Sequence, residues 1–242
     1  MKIIQLTDLH IFADKTKKLL NIVTYHSAEK IINHIHTYEK DYDAIIVTGD
    51  ISQDETIASY ELAIKLLKKL NKPIHYLQGN HDKKENLDLV FSEQKPIEEL
   101  YSSHWSFISV DTVDYGKDSG FISNDELNKL KNKISINEKN NIALIMHHHC
   151  LKLGTPLIDD CMLLNSNKLL EIIDKEKKIK LIICGHAHND YKLIHKNFIL
   201  EVAPAVCFQW KKGTKTPITE NYCGYKKYTF LENQYLSETV LI

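Results

Sequence analysis

Five short clusters along this chain combine residues that ligate metals and move protons. They are Asp8 with His10, Gly49-Asp50, Gly79-Asn80-His81-Asp82, the triplet His147-His148-His149, and Gly185-His186-Ala187-His188. Their donors are carboxylate and amide oxygens and imidazole nitrogens, with no thiolate among them. That mix suits Mn, Fe, Zn or Ni rather than Ca or an iron–sulfur cluster. Asp8, His10, Asp50, Asn80, His147, His186 and His188 together exceed the need of one ion. Two ions sharing one carboxylate would use them all. Taken singly, each cluster has a plainer reading as a turn or a packed histidine. All five in this order, each behind an apolar run, leave that plainer reading little weight.

The runs that must position them are short and rich in Ile, Val and Leu. Lys2–Leu6, Ala44–Val47, Ile74–Leu77, Ile142–Met146 and Leu181–Cys184 each end in one of the clusters, as expected for strands buried on both faces. Between them, Tyr25–Tyr38 and Ser59–Leu70 place apolar residues at helical spacing. Ser123 with Glu126 predicts a capping box opening a helix to about Lys133, and Asn165 to about Glu176 predicts another. Lys175–Lys180 reads as a solvated helix end. Past Cys184 the pattern becomes two hairpins, Tyr191–His195 with Phe198–Val202 and Tyr225–Leu231 with Tyr235–Leu241. Strand alternating with helix predicts an α/β fold, and no linker or repeat divides residues 1–242, so one domain is expected. In an open α/β sheet ligands bind beyond the carboxyl ends of the strands, where all five clusters fall.

Composition narrows the function. The chain has 242 residues and a formal net charge of -1, against the basic excess of a nucleic-acid binder. All 31 basic residues are Lys, so no guanidinium fork can grip a phosphate. No signal peptide or membrane-spanning run is evident, and five Cys, an odd number with no CxxC pair, read as a reducing compartment. The expected location is the cytoplasm, without a membrane or nucleic-acid partner. His26, His34, His36, His104 and His195 read as structural or surface residues and His75 as core.

These motifs resemble the signature of the calcineurin-like metallophosphoesterases: Asp-x-His, Gly-Asp, Gly-Asn-His-Asp/Glu, a later His, and Gly-His-x-His. The resemblance implies a four-layer αββα sandwich of two mixed sheets flanked by helices. It also implies two divalent transition metal ions (Mn, Fe or Zn). Carried over by position, Asp8, His10 and His188 hold one ion, Asn80, His147 and His186 the other, and Asp50 bridges them. His81 assists the leaving group, with Asp82 expected to orient its ring. Asp8-Leu9-His10-Ile11-Phe12, Gly49-Asp50-Ile51-Ser52-Gln53-Asp54 and Ala203-Pro204 with Cys207-Phe208-Gln209 are most similar to the class III 3′,5′-cyclic nucleotide phosphodiesterases. Many relatives carry Pro where this chain has Cys150, and a basic residue where it has Leu164.

The activity so implied is hydrolysis of 3′,5′-cyclic AMP to AMP by attack of a metal-bridging hydroxide. Asn80, His81, His149, Asp159, Asn165 and Gln209 are the expected substrate contacts. The partner is a small cyclic nucleotide, and a homodimer is the assembly the family suggests. The alternatives are the same chemistry on a 2′,3′-cyclic nucleotide, a glycerophosphodiester or a nucleotide-lipid, and a non-catalytic binding scaffold.

Overall fold

Successive residues of a strand face opposite sides of its sheet. Here both sides are apolar, so each sheet must be covered twice. The computed structural model, which describes Met1–Ile242, meets that demand with four layers. The chain begins β1 (Lys2–Leu6), α1 (Thr24–Tyr38), β2 (Ala44–Thr48), α2 (Ile57–Lys68), β3 (Ile74–Leu77), α3 (Lys84–Val90) and β4 (Lys95–Pro96). After a 3-10 turn at Ile97–Glu99 come β5 (Trp105–Ser109), α4 (Asn124–Ser135), β6 (Asn141–Ile145), α5 (Pro156–Asp159), α6 (Ser166–Ile173), β7 (Ile179–Cys184), β8 (Tyr191–His195) and β9 (Phe198–Val202). It closes with β10 (Gln209–Trp210), β11 (Thr219–Glu220), β12 (Gly224–Phe230) and β13 (Tyr235–Leu241).

Two mixed sheets result, in the orders β13-β12-β1-β2-β3-β4 and β5-β6-β7-β9-β8. β1 to β4 run parallel, with β12 and β13 antiparallel beside them. β5, β6, β7 and β9 run parallel, with β8 antiparallel at the edge. Ile3 and Ile46 of the first sheet meet Phe107, Ile145 and Ile183 of the second in a central core. Their neighbours Ile4 and Ile45 point the other way, onto Ile31 and Ile35 of α1 and Leu66 of α2. Leu144 and Ile182 likewise face Leu130 of α4 and Leu169 of α6. This is the expected αββα sandwich. No helix is long and apolar enough to cross a membrane.

Polar ties cross between the sheets. Buried Gln5 donates to Thr48 Oγ1 at 2.8 Å and to the Cys184 carbonyl at 2.9 Å, and accepts from Tyr228 OH at 3.1 Å. Glu201 of β9, fully buried, accepts from Tyr235 OH and Ser237 Oγ of β13 at 2.9 and 2.8 Å. Lys226 of β12 lies 3.0 Å from its other oxygen and donates to Asp190 at 2.7 Å.

Three local expectations need correction. Ser123 caps α4 by accepting from the Glu126 N–H at 3.1 Å, but the Glu126 carboxylate accepts instead from the Asp111 N–H, so the box is half formed. α6 ends at Ile173. Lys180 belongs to β7, so the lysine stretch leaves a helix and enters a strand.

Candidate metal centre

The carboxyl ends of β1, β2, β3, β6 and β7 converge, and the chain turns sharply at most of them. Asp8, His10, Asp50, His186 and His188 all have positive φ, between 43° and 67°. The left-handed region is sparsely populated by residues other than glycine, although Asp and His visit it more than most. Held there, five side chains fold back over the strand ends. Glycines let the turns touch: a Cβ on Gly79 would collide with the Asp50 carboxylate, and one on Gly185 with Thr7 Oγ1. Backbone bonds link the loops, Asp8 N–H to the Gly49 carbonyl at 3.1 Å and Gly185 N–H to the His147 carbonyl at 3.0 Å.

One donor group contains Asp8, His10 and His188. The Nδ1–H of His10 donates to Gln53 Oε1 at 2.6 Å, and that of His188 to the Phe208 carbonyl at 3.1 Å. Their Nε2 atoms then face each other at 3.0 Å with lone pairs inward, an arrangement that calls for a cation between them. Asp8 Oδ1 lies 3.5 Å from His188 Nε2. Burial pulls the His10 pKa down to about 3, and the charge on His188 adds to this. Burial also opposes charge on His188, but Cys207 and Asp8 beside it drive its pKa well above the ordinary value.

The other group contains Asn80, His147 and His186. Asn80 Oδ1 lies 3.1 Å from both His147 Nε2 and His186 Nδ1. The Nδ1–H of His147 donates to the Thr48 carbonyl at 2.8 Å, leaving the Nε2 lone pair toward the cluster. Asp50 Oδ2 stands between the groups, 3.6 Å from His10 Nε2 and 3.3 Å from His147 Nε2. Its Oδ1 accepts from the His81 N–H at 2.9 Å. Burial works against charge on His147, yet the Asp50 and Asp8 carboxylates raise its pKa to about 9. The donor types, the directed lone pairs and the shared carboxylate fit two divalent cations.

His81 is half-buried and lines the cleft over these groups, its ring 5.0 Å from that of His10. Gln53, which the sequence reading left without a role, reaches both: it accepts from His10 and its amide lies 3.4 Å from His81 Nδ1. That contact leaves the other His81 nitrogen, Nε2–H, free for the cleft.

Asp82 does not orient the His81 ring. Its buried carboxylate accepts from the N–H groups of Gly79 (2.9 Å), Ile51 and Ser52 (both 3.0 Å), and from Tyr60 OH (3.2 Å). It pins the loop carrying Asp50 to the loop carrying Asn80. Burial, then the Asp50 charge, pushes its pKa up to about 6.

The other expected substrate contacts do not line the cleft. Asn165 exchanges two hydrogen bonds with the backbone of Ile122. Gln209 is fully buried and bonds the backbone of Ala205 and Tyr222. Asp159 accepts from the N–H groups of Leu153 and Gly154. His149 is fully buried, with neither ring nitrogen hydrogen-bonded and Asp159 Oδ1 3.8 Å away. His148 packs its ring 4.5 Å from that of His186 and bonds Thr112 and the Asp118 carbonyl. His75 is core, as expected, bonded to the Pro96 carbonyl. Leu164 is exposed and also stands away from the cleft.

Comparison with known proteins agrees with this geometry. A family model for calcineurin-like phosphoesterases matches residues 1–190. A probable cyclic nucleotide phosphodiesterase of Xenorhabdus bovienii is 38% identical over 223 residues, covering 89% of this chain and 90% of that protein. The 3′,5′-cyclic adenosine monophosphate phosphodiesterase CpdA of Vibrio vulnificus is 30% identical, covering 87% and 78%. Among solved structures, a dimetal phosphatase from Danio rerio superposes with a TM-score of 0.72 at 10% identity, covering 100% of this chain and 98% of that one.

Proposed function

The chain belongs to the calcineurin-like phosphoesterase family, and on that premise we propose that it hydrolyses 3′,5′-cyclic AMP to AMP at a two-metal centre. The observation that carries the two-metal reading is Asp50 Oδ2 between two groups of inward lone pairs. The cyclic nucleotide is supported by the names of the relatives in Xenorhabdus bovienii and Vibrio vulnificus.

In this reading Asp8, His10 and His188 would hold one ion and Asn80, His147 and His186 the other, and Asp50 would serve both. When bound, divalent Mn, Fe or Zn ions supply Lewis acidity toward phosphoryl oxygens and lower the pKa of bound water. The chain's own part is positioning and proton placement. Asn80 stands beside His81 at the cleft, so its amide N–H group is the donor for a phosphoryl oxygen. His81 presents Nε2–H to the departing ribose O3′, stabilising the charge that develops as the P–O3′ bond breaks. Water adds to phosphorus, and O3′ leaves as the alcohol.

The test is turnover by the Mn²⁺-loaded protein of 3′,5′-cyclic AMP, 2′,3′-cyclic AMP and bis-p-nitrophenyl phosphate. Preferred turnover of the first supports the reading. Turnover of none refutes it, and normal turnover by both Asn80→Ala and His81→Ala places the reaction elsewhere.

A further inference from the structure

The cleft over the donor groups has a volume of about 300 Å³, and its lining changes from imidazole and carboxylate at the floor to apolar at the mouth. One residue at that mouth is out of place by local rules. Leu20 and Asn21 have φ of 49° and 69° and form a two-residue turn, closed by reciprocal 2.9 Å bonds between Leu19 and Ile22. Such turns favour Asn, Asp and Gly, and a leucine there is strained. Leu19 and Ile22 already anchor the turn on the buried cluster of Ala205, Cys207 and Phe208. Leu20 is therefore not needed to hold it, yet its side chain stays 49% exposed and lines the cleft.

Half-buried Trp210 and Leu157 line the same mouth. The Trp210 ring is fixed, edge-on to Phe208 at 5.1 Å and 5.8 Å from the His188 ring. No lysine lines the cleft, and the charged side chain added at the mouth is acidic, Asp118. Apolar walls with one carboxylate disfavour a second phosphate and suit a flat, neutral heterocycle bearing N–H groups.

We propose that Leu20, Trp210 and Leu157 form a nucleobase subsite, which holds the base of substrate and product while the phosphate lies on the floor. This rests on the phosphodiesterase reading of the floor and adds the element that selects nucleotides over other phosphodiesters. Base–aromatic contact is tolerant of base identity, so a purine or a pyrimidine fits this description, with Asp118 favouring bases that carry an amino group.

Binding measures it directly, because Trp210 and buried Trp105 are the two tryptophans of the chain. AMP, adenosine and ribose 5-phosphate are titrated into Mn²⁺-loaded protein while tryptophan emission is followed, with calorimetry as the second readout. AMP and adenosine quench the emission. Ribose 5-phosphate binds about tenfold or more weaker than AMP. Leu20→Gly, which relieves the backbone strain, and Trp210→Ala each shrink the AMP to ribose 5-phosphate ratio toward one. Equal wild-type affinities, or an unchanged ratio in both variants, overturn the proposal. Turnover separates the two readings: cyclic AMP hydrolysis with a ratio near one removes the subsite and leaves the phosphodiesterase. A tenfold ratio without turnover of any phosphodiester does the reverse.

Discussion

Replacing Asp82 tests whether a residue of the Gly-Asn-His-Asp motif acts by holding loops rather than by touching the reaction. Its carboxylate is the acceptor for three backbone N–H groups and Tyr60 OH, all at 2.9–3.2 Å and all buried. Backbone donors cannot rotate away. Each one left unsatisfied costs about 1–3 kcal/mol, so Asp82→Ala exposes the fold to a loss of roughly 3–9 kcal/mol. That is comparable to a typical total stability of about 5–15 kcal/mol, and the expected product is poorly folded. Asp82→Asn is the informative variant. It keeps one carbonyl oxygen and points an NH₂ at N–H groups, for a loss of about 2 kcal/mol. For a chain of this length that lowers Tm by about 4–8 °C. Tyr60→Phe removes one donor to the carboxylate and one acceptor for the Lys83 N–H (2.8 Å), and loses about 1–2 kcal/mol. His81→Ala, by contrast, keeps Tm and loses about 10²–10⁴-fold in turnover. Thermal unfolding and turnover per folded molecule are measured on Asp82→Asn, Tyr60→Phe and His81→Ala. An Asp82→Asn protein with wild-type Tm but turnover as low as His81→Ala refutes the reasoning and returns Asp82 to the reacting atoms.

Gly79→Ala places a methyl group against the Asp50 carboxylate; displacing it by even an ångström is expected to cost about 10² in turnover, read from steady-state kinetics with a folded far-UV spectrum. Lys226→Met leaves Glu201 buried with Lys192, 2.8 Å away, and two hydroxyl donors as its remaining partners; the loss is expected to fall below the roughly 3–5 kcal/mol of a buried charge left with no counter-charge, seen as a drop in Tm at pH 7. Burial raises the Glu201 pKa, but Lys226 and Lys192 more than offset that and hold it below its ordinary 4.5. The stabilisation is therefore present above pH 4.5 and fades as pH falls through the lower folded value, so wild-type and variant Tm converge in acid. Chelation followed by dialysis is expected to lower Tm, and Mn²⁺ or Zn²⁺ to restore it, with occupancy at 100 times Kd contributing about 2.7 kcal/mol; an unchanged Tm contradicts a metal centre in the fold.

The donors were legible because each follows an apolar run that ends abruptly, and a strand end is where a side chain is free to face a ligand. β3 was legible for the same reason, and the β8–β9 hairpin from the polar Lys196-Asn197 turn between two apolar runs; both have the expected limits. Direction was not legible. Nothing in Gly-Asn-His-Asp says that His81 turns to the cleft while Asp82 turns inward to unpaired N–H groups. Asn165 and Gln209 carry the right functional groups, but nearby backbone donors and carbonyls compete for them and win. Gln53 was missed because a lone glutamine after a turn has no spacing signal; its role exists only once β1 and β2 place it beside His10. β5 escaped notice because Trp105–Ser109 precedes no polar cluster and mixes serine into its apolar positions.

Neither sheet owns a complete half of the centre. Asp8, His10, Asp50 and Asn80 follow strands of the first sheet, while His147, His186 and His188 follow strands of the second. Each donor group draws from both. The centre is thus a clasp across the seam of the sandwich, closed only after the layers have docked. The seam also carries the central apolar core and the ties of Gln5 and Glu201, to which such a clasp would add. Bound metal would then tie one sheet to the other, so limited proteolysis is expected to cut the Mn²⁺-loaded chain more slowly than the chelated one.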